Sequence, residues 1–194
     1  MDTQPRRRRS DATRAAILRA ARARFTADGY DRATIRTIAA DADIDPSMVM
    51  RYYGNKANLF AVAVAVDLRI PDLTLVPRDE LGTTLVTHFF TRWEGDPGDD
   101  ILFMLLRSAV THDDAAERMR TIFSTQLVPA VTTLVPDRDE AQRRAALISS
   151  QLLGLALCRH ILRLPPIATL TPEQIAAMVG PTIQRYLTAP LPVP

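Results

Sequence analysis

The sequence predicts an all-α protein of about nine helices, with an N-terminal three-helix unit followed by a larger helical region. Apolar residues recur with a period near 3.6 along the 194-residue chain, and no segment shows the alternation of a half-buried strand. Hydrophobic residues make up 47% of the chain and the formal net charge is only +2. This composition favours a folded chain with a substantial core over a disordered one.

The first predicted helix begins near Ser10, a candidate N-cap, and ends at Gly29, a residue type suited to the position after a helix. Its apolar face carries Ile17, Ala21 and Phe25. Arg6, Arg7, Arg8 and Arg9 precede it. We therefore expect residues 1–9 to form a basic flexible arm.

Two short helices joined by a tight turn are predicted next. The first opens at Thr34 and carries an apolar stripe of Ile35, Ile38, Ala39 and Ala42. Asp45 caps the second, which starts at Pro46 and spans only about two turns. This arrangement describes a helix-turn-helix. A further helix, capped by Asn55, is expected over residues 56–68.

The rest of the chain predicts helices at about 78–94, 99–111, 113–134, 138–163 and 171–187, separated by segments that contain proline, glycine or aspartate. The last begins with a capping box between Thr171 and Gln174. The expected domains are an N-terminal domain over 10–71 that contains the helix-turn-helix, a larger helical domain over 72–188, and a proline-rich tail over 189–194.

Charge is unevenly distributed along the chain. Residues 1–60 contain 12 arginines and lysines against seven aspartates, a net charge of +5, whereas the remainder carries −3. A basic first third favours a polyanionic partner. The single cysteine, Cys158, excludes an intramolecular disulfide and multi-cysteine metal sites. No metal or other cofactor is expected.

The helix-turn-helix offers residues for both kinds of DNA contact. A helix fits the major groove of double-stranded DNA, where its first residues reach base edges. Ser47, Met48 and Arg51 are the candidates for base contacts. Thr34, Tyr52 and Lys56 are the candidates for phosphate contacts, and Arg36 completes the candidate DNA-binding set.

Three runs in this region resemble the DNA-binding domain of TetR/AcrR-type transcriptional regulators: TIRTIAADA at 34–42, DPSMV at 45–49 and YYGNKANLF at 52–60. The turn position that is usually glycine in this family is Asp43, which can adopt a left-handed conformation. Two later runs, QLLGLA at 151–156 and PTIQRYL at 181–187, resemble one branch of the family's C-terminal domains. The resemblance implies a dimeric repressor with a palindromic operator and a small-molecule effector.

The C-terminal helices contain aromatic residues and methionines that could line an apolar pocket, although the same residues would also suit an ordinary core. The candidate pocket residues are His88, Phe89, Trp93, Phe103, Arg107, Met119, Phe123 and Gln126. The effector is therefore expected to be apolar.

Small residues at helical spacing predict a dimer interface. Ala146, Ser150 and Gly154 form a seam that allows another helix to approach closely, as in an isologous four-helix interface. Burial of this seam inside one subunit is the alternative.

The sequence thus predicts a ligand-responsive transcriptional regulator, most consistent with a homodimeric repressor. The alternatives are a helical protein-interaction module that does not contact DNA and, less favoured, a small all-α hydrolase. No signal peptide or membrane-spanning run is found, so a cytoplasmic location is expected.

Overall fold

The structure is a computed structural model that describes residues 4–94 and 100–192, with the side chains of residues 10–94 and 101–192. Every regular element in these ranges is helical, which confirms the predicted all-α class. The ten α-helices are α1 Gln4–Arg32, α2 Ile35–Asp41, α3 Pro46–Tyr53, α4 Lys56–Ala63, α5 Leu81–Glu94, α6 Asp100–Ala109, α7 Asp113–Ile122, α8 Val128–Thr132, α9 Arg138–Ala156 and α10 Pro172–Thr188. Two π-helical turns, Phe123–Leu127 and Leu157–Ile161, follow α7 and α9, and a 3₁₀ turn spans Leu73–Leu75.

The π-helical turn Phe123–Leu127 joins α7 and α8 into one continuous helical segment. Counted in this way, the described residues contain nine helices, as the sequence predicts. None of the helices in these ranges is long and apolar enough to cross a membrane.

Helix α1 differs from the prediction at its start. It begins at Gln4, so Ser10 lies inside the helix and is not its N-cap. Pro5 does not prevent this start, because proline is tolerated in the first turn of a helix. The side chains of Arg6, Arg7, Arg8 and Arg9 lie outside the described part of the chain. Near the other end of α1, Gly29 has a φ of +77°, which confirms the break expected at this glycine.

Helix α4 ends at Ala63, five residues before the predicted end. The backbone N–H and C=O of Leu68 bind instead to the side chains of Gln126 and His88. These tertiary contacts satisfy the groups that a longer helix would have used.

The chain divides into two compact units. Unit 1 contains Met1–Val66 and Asp100–Asp114, and unit 2 contains Asp67–Asp99 and Ala115–Pro194. Helix α6 therefore groups with the helix-turn-helix through its packing against α1, a division that differs from the domain boundaries expected from the sequence.

The core of unit 1 lies under the helix-turn-helix. Phe25 and Phe60 are buried and meet edge to face, with ring centroids 5.0 Å apart. Ile38 of α2 and Val49 of α3 are also fully buried. Their burial fixes the two short helices on α1 and α4, which are too short to be stable alone.

Unit 2 is organised around the close packing of α5 on α10. A Cβ atom on Gly82 would lie only 2.2 Å from the carbonyl oxygen of Gly180, so a larger residue at position 82 would force the two helices apart. The Gln184 side chain fixes the same crossing, because it accepts from the Gly82 N–H at 2.7 Å and donates to the Arg78 carbonyl at 2.6 Å.

A buried arginine joins α9 to the end of α10. Arg144 is 4% exposed and pairs with Glu140. Its guanidinium also donates to the carbonyl oxygens of Tyr186 and Ala189. These carbonyls at the C-terminal end of α10 favour a positive charge, so the buried guanidinium is both paired and hydrogen-bonded.

Candidate functional site

Two side-chain caps fix the start of α2 and of α3. The Thr34 hydroxyl accepts a hydrogen bond from the Thr37 N–H, and the Thr37 hydroxyl accepts one from the Thr34 N–H, both at 3.1 Å. Asp45 accepts from the Ser47 N–H at 2.8 Å. The hydrogen bonds from Ser47 lower the pKa of Asp45, so this carboxylate remains ionised at the positive end of α3.

The turn between α2 and α3 contains one residue in the left-handed region. Asp43 has a φ of +53°, and the Ile44 N–H donates to the Ala39 carbonyl at 3.0 Å. Aspartate tolerates this conformation better than most non-glycine residues. The turn is therefore formed without the glycine that the resembling family usually has there.

Helix α3 presents one face to the core and the other to solvent. Val49 is completely buried, whereas Ser47, Met50 and Arg51 are exposed. Met48 is half-buried. Two of the three candidate base contacts, Ser47 and Arg51, thus lie on the exposed face of α3, which can enter a DNA groove.

Cationic side chains surround this face. Arg36 of α2 and Arg51 of α3 are exposed, and within residues 10–94 and 101–192 neither forms an ion pair. By contrast, Arg24 pairs with Asp41 and Asp28, which fixes α1 to α2. The Arg24 guanidinium lowers the pKa of Asp41. Asp41 is thus ion-paired, whereas Arg36 and Arg51 have no acidic partner among the residues whose side chains the structure describes.

The aromatic pair at the end of α3 is held by α1. The Tyr53 hydroxyl donates to the Arg14 carbonyl at 3.4 Å, and the Tyr52 hydroxyl lies 3.4 Å from the Ser10 hydroxyl. The Arg14 guanidinium stands 5.2 Å from the centre of the Tyr52 ring, within cation–π range. Arg14 is therefore a basic residue at the candidate interface that sequence reasoning missed, since it lies 38 positions before Tyr52 in the chain.

Lys56 lies at the other end of the candidate interface. Its Nζ donates to the Asp31 carbonyl at 3.1 Å and stands 4.5 Å from the centre of the Tyr30 ring. The Tyr30 hydroxyl is 3.1 Å from the Asp114 carboxylate. Burial raises the pKa of Tyr30, and the Asp114 carboxylate raises it further. An ammonium group has three donors, so Lys56 retains capacity to bind a phosphate oxygen.

The residues expected to line a ligand pocket are found in several places. Phe103 and Arg107 belong to α6 of unit 1. Phe89 and Trp93 are buried in unit 2, with ring centroids 5.1 Å apart. His88 and Gln126 bind the backbone of Leu68.

The remaining two, Met119 and Phe123, line an open apolar groove of about 390 Å³ in unit 2. This volume falls within the range of small-molecule sites. The groove lies between the α7–α8 segment and α9. Its lining residues are Met119, Arg120, Phe123, Ser124, Val128, Gln142, Ala145, Ala146, Ser149 and Leu153.

The predicted dimer seam lies on the outer side of α9. Ala146 and Ser150 are exposed, and a Cβ atom on Gly154 would meet nothing within 4 Å. Two larger apolar residues, Leu147 on α9 and Met178 on α10, are 36% and 65% exposed. This exposure disfavours the alternative that the seam is buried inside one subunit.

Two family models match the chain. The model described as "Bacterial regulatory proteins, tetR family" matches residues 17–63, and the model described as "Tetracyclin repressor-like, C-terminal domain" matches residues 79–187. A search of curated protein sequences finds no match.

Several solved structures are similar to this chain. A TetR-family regulator from Streptomyces coelicolor A3 is 30% identical, with a TM-score of 0.66 and coverage of 91% of this chain and 95% of that one. NalD, the secondary repressor of the MexAB-OprM multidrug efflux pump in Pseudomonas aeruginosa, is 21% identical, with a TM-score of 0.67 and coverage of 94% and 98%. The fatty acid degradation regulator FadR from Bacillus halodurans is 13% identical, with a TM-score of 0.63 and coverage of 88% and 97%.

Proposed function

Because this chain belongs to the TetR family of bacterial transcriptional regulators, we propose that it is a homodimeric repressor released from a palindromic operator by a small apolar effector. Membership makes the protein a DNA-binding regulator and removes the hydrolase alternative. Beyond family membership, we propose that the protein acts as a repressor and a homodimer, that its operator is palindromic, and that its effector is a small apolar molecule.

The observation that carries the DNA-binding role is the solvent-facing side of α3. This short helix is capped by Asp45 and anchored by the buried Val49, so its exposed residues are held in a fixed orientation. Ser47 and Arg51 are placed to meet base edges, and Arg51 can form two hydrogen bonds with a guanine. Met48, being half-buried, would contribute an apolar contact at the edge of this surface.

Phosphate contacts would come from residues on both sides of α3. Thr34 and Arg36 are exposed at the start of α2, and Tyr52 and Lys56 lie at or just beyond the end of α3. Such contacts orient a protein on DNA without reading its sequence. Arg14, stacked on Tyr52, extends the proposed phosphate-binding set.

A homodimer would supply the second half of the site. The small-residue seam on α9 and the exposed Met178 on α10 support an interface formed by these two helices from each subunit. Two helix-turn-helix motifs separated by about 34–36 Å would bind successive turns of the major groove. Effector binding would weaken DNA binding by favouring a state with another spacing.

The experiment is a selection of genomic DNA fragments by the purified protein, followed by gel shifts at increasing salt concentration. We expect one enriched, palindromic sequence and an affinity that falls linearly with salt on a logarithmic scale. A protein-interaction module would enrich no sequence, and that result would contradict the proposal.

The repressor assignment has a separate test. A reporter gene placed behind the selected sequence should be expressed at a higher level when the regulator gene is deleted. Lower expression after deletion would make the protein an activator while leaving its DNA binding intact.

A further inference from the structure

Residues 67–69, called the linker here, are held by side chains rather than by regular secondary structure. The Leu68 N–H donates to the Gln126 Oε1 at 2.7 Å, and the Leu68 carbonyl lies 2.8 Å from the His88 Nε2. Arg92 donates to the Asp67 carbonyl at 3.1 Å. The linker opens unit 2, directly after the last residue of the first segment of unit 1.

The linker also contains backbone strain. Arg69 has a φ of +50°, in the left-handed region that non-glycine residues seldom adopt. Such a conformation persists where surrounding contacts impose it, and it is concentrated at functional and switching sites. Locally, the Asp67 Oδ1 accepts from the Arg69 N–H at 2.9 Å, and the side chains of His88, Arg92 and Gln126 hold the linker from elsewhere in unit 2, so these contacts together are expected to determine its conformation.

Gln126 belongs to the π-helical turn Phe123–Leu127, which lies within the continuous helical segment formed by α7 and α8. The first two residues of the same turn, Phe123 and Ser124, line the apolar groove. One turn of helix thus touches the groove at one end and holds the linker at the other. Single π-helical turns inside α-helices occur frequently at functional sites.

We propose that this turn couples the groove to the linker, so that a small apolar molecule bound against Phe123 displaces Gln126 and loosens its hold on Leu68. The inference rests on the proposed effector-responsive function and assigns that response to a location. His88 and Gln126, which the sequence suggested as pocket residues, become positioning residues that act through the linker and need not touch the effector.

The coupling has a chemical basis in the hydrogen bond from Leu68. This part-buried bond is one of the few that tie the linker to the rest of unit 2, so displacement of Gln126 destabilises the bound conformation of the linker. The released linker can then relax Arg69 out of its left-handed conformation.

The test fills the groove from its opposite wall and therefore needs no knowledge of the natural effector. Ser149→Trp, on α9, adds a large apolar side chain inside the groove. Thr125→Trp is the matched control, because it adds the same side chain at an exposed position of the π-helical turn that does not line the groove. Gln126→Met removes the acceptor of the Leu68 hydrogen bond while keeping the length of the side chain.

The first measurement is hydrogen exchange at the Leu68 amide. We expect Ser149→Trp and Gln126→Met each to speed this exchange at least about fivefold, the factor that corresponds to the loss of one typical hydrogen bond. Thr125→Trp should leave the exchange rate unchanged. Unchanged exchange in Gln126→Met would overturn the inference. This readout does not involve DNA, so it remains decisive even if the proposed function fails.

The second measurement is affinity for the selected operator in a double-mutant cycle. We expect Ser149→Trp to weaken binding severalfold in the native background and to have no further effect in Gln126→Met, because both substitutions act on the same contact. Equal effects in both backgrounds would overturn the coupling. If circular dichroism shows that Ser149→Trp does not fold, Phe123→Ala, which changes the groove from the turn itself, takes its place in both measurements with the same expectations.

Discussion

The helix-turn-helix and unit 2 use polar side chains over very different distances along the chain. Around α2 and α3, Thr34 binds Thr37 and Asp45 binds Ser47, two or three residues away. In unit 2, Leu68 binds Gln126 and Gly82 binds Gln184, across 58 and 102 residues. The ends of α2 and α3 are therefore set by local caps, although α1 and α4 hold these helices in place, whereas the packing of α5 on α10 and of the linker in unit 2 is set by polar contacts between distant segments.

This difference has a functional consequence. Local caps keep the ends of α2 and α3 independent of distant segments, which suits sequence recognition. A unit held by long-range contacts can be biased between arrangements by a ligand that alters one of them. The experiments below break or sharpen this contrast, beginning with the largest expected effect.

Phe60→Ala removes a fully buried ring from the core under the helix-turn-helix. We expect it to cost about 3–5 kcal/mol in the free energy of unfolding, because the cavity adds to the lost burial. Operator binding should be lost, while sedimentation still reports a dimer formed by unit 2. Dissociation into monomers would show that the dimer also depends on the core of unit 1.

Gly82→Ala tests the corresponding weak point of unit 2. The added Cβ would meet backbone atoms of α10, so the helices must separate, and we expect a loss of about 3 kcal/mol, at the upper end of overpacking costs. Thermal unfolding followed by circular dichroism measures this loss. Gly154→Ala is the matched control, since its Cβ meets open space, and it should be neutral or slightly stabilising in the single subunit.

Gly154→Leu tests the proposed dimer seam. A large side chain should separate the two copies of α9, at a cost of about 1–3 kcal/mol for each copy of the substitution. Analytical ultracentrifugation should then show weaker association with unchanged helical content. A dimer of native strength that binds the operator normally would place the interface elsewhere.

Arg51→Ala tests base reading by α3. If Arg51 binds a guanine, its loss should cost about 1–3 kcal/mol in operator affinity and relax the preference at one or two base pairs. Lys56→Ala serves as the comparison, because loss of a phosphate contact should weaken all sequences alike and reduce the salt slope by about one. Equal losses on all sequences for Arg51→Ala would make it a second phosphate contact.

The smallest expected effect is the loss of stability at acidic pH that results from protonation of Asp41. Arg24 lowers the pKa of Asp41 in the folded state, so the pair stabilises the protein above the ordinary carboxyl pKa of about 4, and this contribution disappears as the pH falls through the lower folded value. Arg24→Gln should bring the Asp41 pKa back towards its ordinary value. An NMR titration of the Asp41 carboxyl group measures the change, and an unaltered titration would show that the pair does not form in solution.

Local chemistry made much of unit 1 predictable from the sequence. Asp45 and Asn55 each cap the helix that follows them, as predicted, and Thr34, where the sequence indicated the start of α2, is its N-cap. Gly29 and Asp43 have the positive φ values that the helix break and the turn require. These features depend on residues within one helical turn of each other, which a sequence displays directly.

Prediction was less complete where two distant segments decide the outcome. The sequence indicated a pocket formed by residues such as His88 and Gln126. Their positions along the helices do not reveal that both side chains bind the backbone of Leu68. Arg14 was missed because its position beside Tyr52 depends on how α1 crosses α3. The role of Gly82 was missed for the same reason, since its partner Gly180 lies almost a hundred residues away.

The sequence by itself determined the all-α class, the position of the helix-turn-helix, its turn, and the spacing of the small residues on α9, because helical periodicity and capping act over a few residues. Only the tertiary structure decided that α6 packs against α1, that α4 stops at Ala63, and that a π-helical turn contacts both the groove and the linker. Each of these depends on which surfaces meet in three dimensions. In each case, packing or hydrogen bonding between distant residues outweighs the local preference of the chain.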